Sequence, residues 1–492
     1  MSMSPEFDKI QNSENIIVSA SNGIECRVPL SEEEYKEVLS TQISAHLTQV
    51  ECLTREIKYS GKAVFTVIFK NQTGINKYEA GVEFSYKCEQ EKVLEGMNVI
   101  ASVKADNVKL TSLNGIVMAS AVIMFNGEIT RPVDLECFIK EPSLIIKNDK
   151  VDYSYEVSKC KKQLKIEDEF DLPILIKDVL YHKEKAYITN CQCGIGVVIV
   201  DGEIELNALV LSLEENKEPI SNTRKIPFRV EIENNDALPD LLAGGYVSVK
   251  DVSLKIYVDE AKNKSSVSVE CNIELNAKLY SITSFDVGVD AYSREREVFL
   301  TKDNKKLNRV LAFNCLEDKI KSEISFNINE NSRLISVIDD KIEDVRFTIS
   351  SGEVLLVGVL SISCLFGGEN FYSETIAVPF SAKVPLKGNS IGLLQCELID
   401  VKLTKSDLEC ILKVSFLDSE DFSVNVITKI DEGAEKVVND SAISVYIPNK
   451  NDTLWDVSKA LGVKEEDILL TNSDLEFPLT GNERIVVYRE KN

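Results

Sequence analysis

Glu56-Ile57-Lys58-Tyr59-Ser60-Gly61-Lys62-Ala63-Val64-Phe65-Thr66-Val67-Ile68-Phe69 is the stretch from which the fold can be read. Val, Ile, Phe and Thr dominate it, which suits a pleated, half-buried surface, so it reads as a β-strand. The chain then repeats itself. Glu353-Val354-Leu355-Leu356-Val357-Gly358 leads into Val359 to Phe366, and Glu203-Ile204-Glu205-Leu206-Asn207-Ala208 leads into Leu209 to Leu213, with Ala in the glycine's place. Each copy is followed by an apolar–x–Phe strand: Val82-Glu83-Phe84, Ile226-Pro227-Phe228 and Val378-Pro379-Phe380. The Gly or Ala precedes that Phe by 23, 20 and 22 residues. A third anchor comes next, in Asn107-Val108-Lys109-Leu110, Asp251-Val252-Ser253-Leu254 and Asp400-Val401-Lys402-Leu403. Three anchors in one order at near-equal spacing define an internal repeat, which is the first thing to establish about a long chain.

Runs of short strands without long helices between them imply sandwich or barrel-like units. The expected organisation is mainly β: three tandem β-rich domains at residues 16–145, 155–290 and 300–431, a linker at 432–440 and a small βααβ domain at 441–490. Lys147–Ser158 and Asp290–Asn308 read as connectors, being charge-rich and poor in apolar pairs. One helix start is expected in the first unit, where Ser31 and Glu34 have capping-box spacing ahead of Tyr35, Val38 and Leu39.

After Asp431 the pattern changes. A strand at Ile443–Ile447 is followed by Asn451-Asp452-Thr453-Leu454-Trp455. Thr453 reads as an N-cap completed by Asp456, with Leu454, Val457 and Leu461 at helical spacing and Gly462 as the stop. A second helix is expected from about Glu465 to Asn472, with Ile468 and Leu469 turned inward, before a closing strand at Ile485–Tyr488. In so small a domain Trp455, the chain's only tryptophan, is expected to dominate the core. Glu465-Glu466-Asp467 has a sufficient account as charge favourable to a helix N-terminus.

Composition narrows the function. The 492 residues carry 56 basic and 80 acidic side chains, a net charge of −24, which argues against nucleic acid and anionic lipid as partners. Only His46 and His182 are available for imidazole chemistry, and His182 reads as surface or strand filler. No G-x-S-x-G, Walker A, H-E-x-x-H or dinucleotide-binding fingerprint occurs, so no catalytic residue, metal ligand or cofactor is expected. Twelve scattered cysteines without a C-x-x-C read as reduced thiols packed as small hydrophobes. Met1 to Asn15 lacks an apolar signal core, and the longest apolar run, Gly115 to Phe125, is too short for a membrane helix, so no membrane insertion is expected.

Val445 to Tyr488 resembles a LysM domain through Asp452-Thr453-Leu454-Trp455, Leu461-Gly462-Val463, Ile468-Leu469 with Asn472, Leu475 and Gly481. The resemblance implies a groove lined by Asn451, Asp452, Thr453, Leu469, Leu470, Thr471 and Asn472, over a core of Leu454, Trp455, Val457, Leu461 and Ile468. LysM grooves hold N-acetylglucosamine chains. Here Asn451 replaces the usual Gly, Asn472-Ser473 the usual Asn-Pro and Gly481-Asn482 the usual Gly-Gln, which weighs against a glycan. The cap roles of Asp452 and Thr453 already explain them, so Leu470, Thr471 and Asn472 are the better interface candidates. The upstream repeats resemble the SPOCS repeats of endospore-forming bacteria, carried by the Glu-led strand ending in Gly, the apolar–x–Phe strand and Phe285 to Ser293.

SPOCS repeats followed by one LysM domain is the layout of the SipL-type spore-coat morphogenetic proteins. Membership implies a non-enzymatic scaffold in the mother-cell cytoplasm at the forespore surface, its LysM domain binding the ATPase of the coat's basement layer (SpoIVA-type). Other coat proteins and a homo-oligomer are further partners it allows. Binding of N-acetylglucosamine-containing peptidoglycan is the alternative reading. A hydrolase targeted by its LysM domain would need a catalytic domain for which the sequence offers no motif.

Overall fold

The computed structural model describes residues 5–72, 74–214, 218–326, 332–350, 352–368, 371–404, 406–436 and 442–488. It is mainly β, with 77% strand and 5% helix. One six-strand pattern occurs three times. The first set comprises β1 (Glu6–Val28), β2 (Val38–Leu53), β3 (Glu56–Asn71), β4 (Gly74–Glu89), β5 (Val99–Leu113) and β6 (Ile116–Lys140). The second comprises β7 (Ile145–Leu172), β8 (Ile176–Cys193), β9 (Val197–Ser212), β10 (Ile220–Glu233), β11 (Leu242–Asp259) and β12 (Lys264–Tyr292). The third comprises β13 (Arg296–Glu323), β14 (Arg333–Ser350), β15 (Glu353–Gly367), β16 (Tyr372–Pro385), β17 (Ser390–Leu403) and β18 (Asp407–Glu435).

In each set the second, third and fourth strands form one antiparallel sheet, and the first, sixth and fifth form another. A core lies between the two sheets. In the first set it holds Tyr59, Phe65, Phe84 and Phe125, with Tyr59 stacked on Phe125 at 4.2 Å. Period-two alternation drives the outer strands: Ile226, Phe228, Val230 and Ile232 of β10 are buried, as are Val378, Phe380, Ala382 and Val384 of β16. Pro227 and Pro379 interrupt neither strand, because both strands are sheet edges where a missing N–H costs no ladder bond.

The repeat anchors acquire physical meanings. Phe84, Phe228 and Phe380 each lie opposite a glycine of the central strand: Gly61, Gly202 and Gly358. A Cβ at these positions would stand 2.5, 2.3 and 2.8 Å from the facing ring, so only glycine leaves room for it. In the second copy the anchor is therefore Gly202, not Ala208; Ala208 pairs with His182 instead. The third anchor marks an irregularity in the fifth strand. Pairing slips between Asp106 and Lys109, between Val249 and Asp251, and between Ile399 and Lys402. Asn107 and Asp400 have φ of 54° and 51°, a left-handed conformation that Asn and Asp tolerate better than most residues.

The stretches read as connectors are strand. Lys147–Ser158 lies within β7, paired with β12, and Asp290–Asn308 spans the end of β12 and much of β13. Their charges face water on long two-stranded ribbons, while Val151, Tyr153, Val287, Leu307 and Val426 bury the inner side together with Ile10 and Cys137 of the first set's ribbon. Ser31 and Glu34 do form a capping box, over the helix α1 (Glu32–Lys36). The helix ends there, and the β-branched Val38 opens β2. Of the expected linker, residues 432–435 belong to β18, and residues 437–440 lie outside the described residues.

Each set touches both others, so the three close a ring. Equivalent positions meet at its centre: Leu39 and Ile68, Leu180 and Leu209, Ile335 and Leu365, with Ile338 buried beside them. Below this plug Lys185 meets Asp340 at 2.5 Å, Lys183 pairs with Asp339, and Gln395 Nε2 donates to the carbonyls of Ala186 and Val247. His46 Nε2 is 3.4 Å from Glu184, and His182 Nδ1 is 3.3 Å from the same buried carboxylate. His182 is thus no filler: both histidines of the chain flank one buried acid between the first two sets. All twelve cysteines are unpaired, five of them buried; burial pushes the Cys137 thiol up to about 11.

Candidate partner-binding module

The chain ends in β19 (Ile443–Tyr446), α2 (Leu454–Leu461), α3 (Glu465–Thr471) and β20 (Ile485–Tyr488). β19 and β20 pair antiparallel, with Ile443 opposite Tyr488. Thr453 accepts from the Asp456 N–H while Asp456 accepts from the Thr453 N–H, and Gly462 closes the helix at φ 66°. The module's own core is Val457, Val463, Ile468, Leu479, Ile485 and Val487, with Leu454 and Leu461 half-buried against it.

Trp455 is buried elsewhere than expected. It lies in the joint between the module and the ring, edge-on to Tyr292 with ring centroids 5.2 Å apart. Its Nε1 donates to Asp290 Oδ2 at 2.8 Å, and Lys459 reaches both oxygens of the same carboxylate at 2.8 and 3.0 Å. Lys302 adds a third cation at 3.2 Å. Burial alone would raise the Asp290 carboxyl; bonds from Lys459 and Trp455 and the charge of Lys302 hold it below its ordinary value. The Tyr292 hydroxyl donates to the Val463 carbonyl at 2.5 Å and stands 2.7 Å from Ser458 Oγ. Asp290 and Tyr292 belong to the segment Phe285 to Ser293 that marks the repeats in sequence, but nothing local in it points to a residue 165 positions away.

Of the seven expected groove residues, four have their polar groups engaged inside the module. Asp452 accepts from the Asn449 N–H and the Tyr446 hydroxyl. Thr453 caps α2. Thr471 Oγ1 and Asn472 Nδ2 both donate to the Val486 carbonyl at 2.7 Å, and Asn472 Oδ1 accepts from the Val486 N–H, so together they staple α3 to β20. Asn451 is exposed at φ 73° on the loop before α2. Leu469, expected to face inward, is 43% exposed, and Leu470 is 81% exposed.

Sequence reasoning missed a second apolar surface. Ile443 and Val445 of β19 and Ile447 just past its end alternate and are exposed, as is Tyr488 beside Ile443. The signal was present: apolar residues at i, i+2 and i+4 on a strand with too little chain around it to cover both faces. Single exposed apolar residues are ordinary, but Ile443 and Tyr488 are cross-strand neighbours, so these residues adjoin and make this face a candidate contact surface.

No helix among the described residues is long and apolar enough to cross a membrane, and no group of three or more His, Cys, Asp or Glu among them could hold a metal ion. No protein-family model, curated protein or solved structure matches the chain.

Proposed function

We propose that the chain is a non-enzymatic spore-coat morphogenetic scaffold of the SipL type, in which three SPOCS-like β domains form the body and a C-terminal LysM domain binds a protein. The partner is the ATPase of the coat's basement layer, met at the forespore surface in the mother-cell cytoplasm. The observation that carries this reading is the chemistry of the module's surface. Sugar recognition relies on placed polar groups, and Asp452, Thr453, Thr471 and Asn472 are engaged within the module. What the module offers outward is Ile443, Val445, Ile447, Leu469, Leu470 and Tyr488, the kind of surface another protein covers.

The test is capture of the purified ATPase by the full chain, by Val445→Asp with Leu470→Asp, and by a chain lacking residues 441–492. Capture lost in both variants supports the reading, provided the double variant keeps its circular-dichroism spectrum. Capture retained without residues 441–492 refutes the role of the module. Calorimetric titration with chito-oligosaccharides should give no saturable heat; saturable binding at millimolar ligand would establish the glycan reading instead.

A further inference from the structure

Between the first and second six-strand sets lies a cleft of about 280 Å³, walled by β2 and the start of β5 on one side and by β7, β11 and β12 on the other. Its charged lining is Lys159, Lys161, Lys250, Lys278 and Glu274: four cations to one anion, in a chain of net charge −24. Two of the lysines are matched from outside the cleft, Lys278 by Glu128 at 2.8 Å and Lys159 by Glu156 at 3.2 Å. The other two share Glu274, which accepts from Lys161 at 2.9 Å and from Gln163 at 2.7 Å and lies 3.4 Å from Lys250.

Lys250 is therefore short of negative charge. It is largely buried, its one partner is shared, and a second ammonium sits beside it. Desolvation, with the Lys161 charge adding, holds its ammonium below the ordinary lysine value despite Glu274.

The ring supplies an internal control. The corresponding cleft between the second and third sets is lined by Ile188 and Thr189, where the first has Leu47 and Thr48, and by Cys315, where the first has Lys161. That cleft is about 170 Å³, and its charges are one lysine and one glutamate, Lys413 and Glu317, paired with each other. The lysine excess is thus no requirement of the repeated architecture.

We propose that the cleft between the first and second sets is a binding site for a compact oxyanion of the phosphate class. Ammonium groups act on such ligands as point charges from several directions, without the planar fork that arginine would impose. The volume, at the lower end for small-molecule pockets, suits an inorganic phosphate or diphosphate, or the phosphate group of a larger molecule.

The experiment is calorimetric titration of the full chain with inorganic phosphate, diphosphate and phosphoserine, against potassium chloride at matched ionic strength. One site per chain is expected, and the arm that binds tightest identifies the source of the phosphate. Lys161→Gln, at an exposed position that the fold tolerates, and Lys250→Gln should each weaken binding by about tenfold or more, the factor carried by one charge-assisted hydrogen bond. Lys413→Gln, in the sister cleft, should leave binding unchanged. The proposal is overturned if no arm saturates, or if folded Lys161→Gln and Lys250→Gln bind as the parent does.

Discussion

Replacing Asp290 by Ala removes the acceptor on which the joint between ring and module converges. The Trp455 indole loses a bond to a carboxylate, worth about 1.5–3 kcal/mol. Lys459 loses its partner too, but it is nearly half exposed, so that pair adds no more than about 1 kcal/mol. The docked arrangement should weaken by about 2–4 kcal/mol, a shift of roughly 30- to 1,000-fold in its equilibrium against an undocked module. Trp455 is the chain's only tryptophan, so its fluorescence reports the joint alone. In Asp290→Ala its emission should move to the red and acrylamide should quench it more strongly, with the far-ultraviolet circular dichroism unchanged. Arg294→Ala is the control, because its pair with Asp467 is 3.6 Å long and exposed. The pH dependence has a definite sign. A carboxyl held below its ordinary value stabilises above the unfolded-state pKa, near 3.9, and loses that contribution as pH falls through its folded value. Acidification below about pH 4 should therefore produce the same red shift in the parent, and no further one in Asp290→Ala. An emission maximum and quenching constant in Asp290→Ala equal to those of the parent would refute the reasoning.

Gly202→Ala should lower stability by about 1–3 kcal/mol or more, because its Cβ would stand 2.3 Å from Phe228 Cζ and 2.6 Å from the Tyr187 carbonyl; thermal unfolding measures it, and an unchanged midpoint would contradict the ring-over-glycine pairing. Burial lowers the His182 imidazole, but its bond to Glu184 and that carboxylate's charge outweigh burial and leave a net value above the ordinary one. Its contribution is complete below pH 6.5 and lost as pH rises through the folded value, so urea unfolding of His182→Gln should show a smaller loss of stability above about pH 6.5 than the parent. Burial opposes ionisation of Asp339, but Lys183 and Lys341 overcome it and hold the carboxyl at about 2. Asp339→Asn should cost about 3–5 kcal/mol at pH 7, and the deficit should shrink between about pH 4 and 2, where the parent itself loses the carboxylate; a deficit that does not change with pH would count against the ion pairs.

What could be read from the sequence was whatever depends on near neighbours in the chain. Thr453 with Asp456, Ser31 with Glu34 and Gly462 are helix signals complete within a few residues, and all three act as expected. Period two shows Val378, Phe380 and Val384 as a strand face at sight. The misplaced Gly anchor shows where such reading stops. Glu203 to Ala208 looks locally like Glu56 to Gly61, yet the property that matters is a ring arriving from Phe228, 26 residues beyond Gly202. The ribbons read as connectors because most of their surface is wet: Val151 and Leu307 stand isolated among charges until a ribbon from another set covers them. Trp455 followed the expected pattern of a buried tryptophan, but its burial depends on Asp290 and Tyr292, and no periodicity reports a partner so distant. The clefts between sets are likewise invisible, since Lys161 and Lys250 come from strands nearly ninety residues apart.

A ring of three similar parts is ordinarily a trimer, which forms by collision and falls apart on dilution. Here the parts share one backbone, so assembly is unimolecular and the ring persists at any concentration at which the chain is folded. The second consequence is evolutionary freedom. In a homotrimer every substitution is felt at three junctions at once, and a charge tolerable at one is imposed on all. Tandem copies release that constraint. Lys183 can face Asp339 while the counterpart junction carries His46 against Glu184, and each junction can diverge without disturbing its siblings.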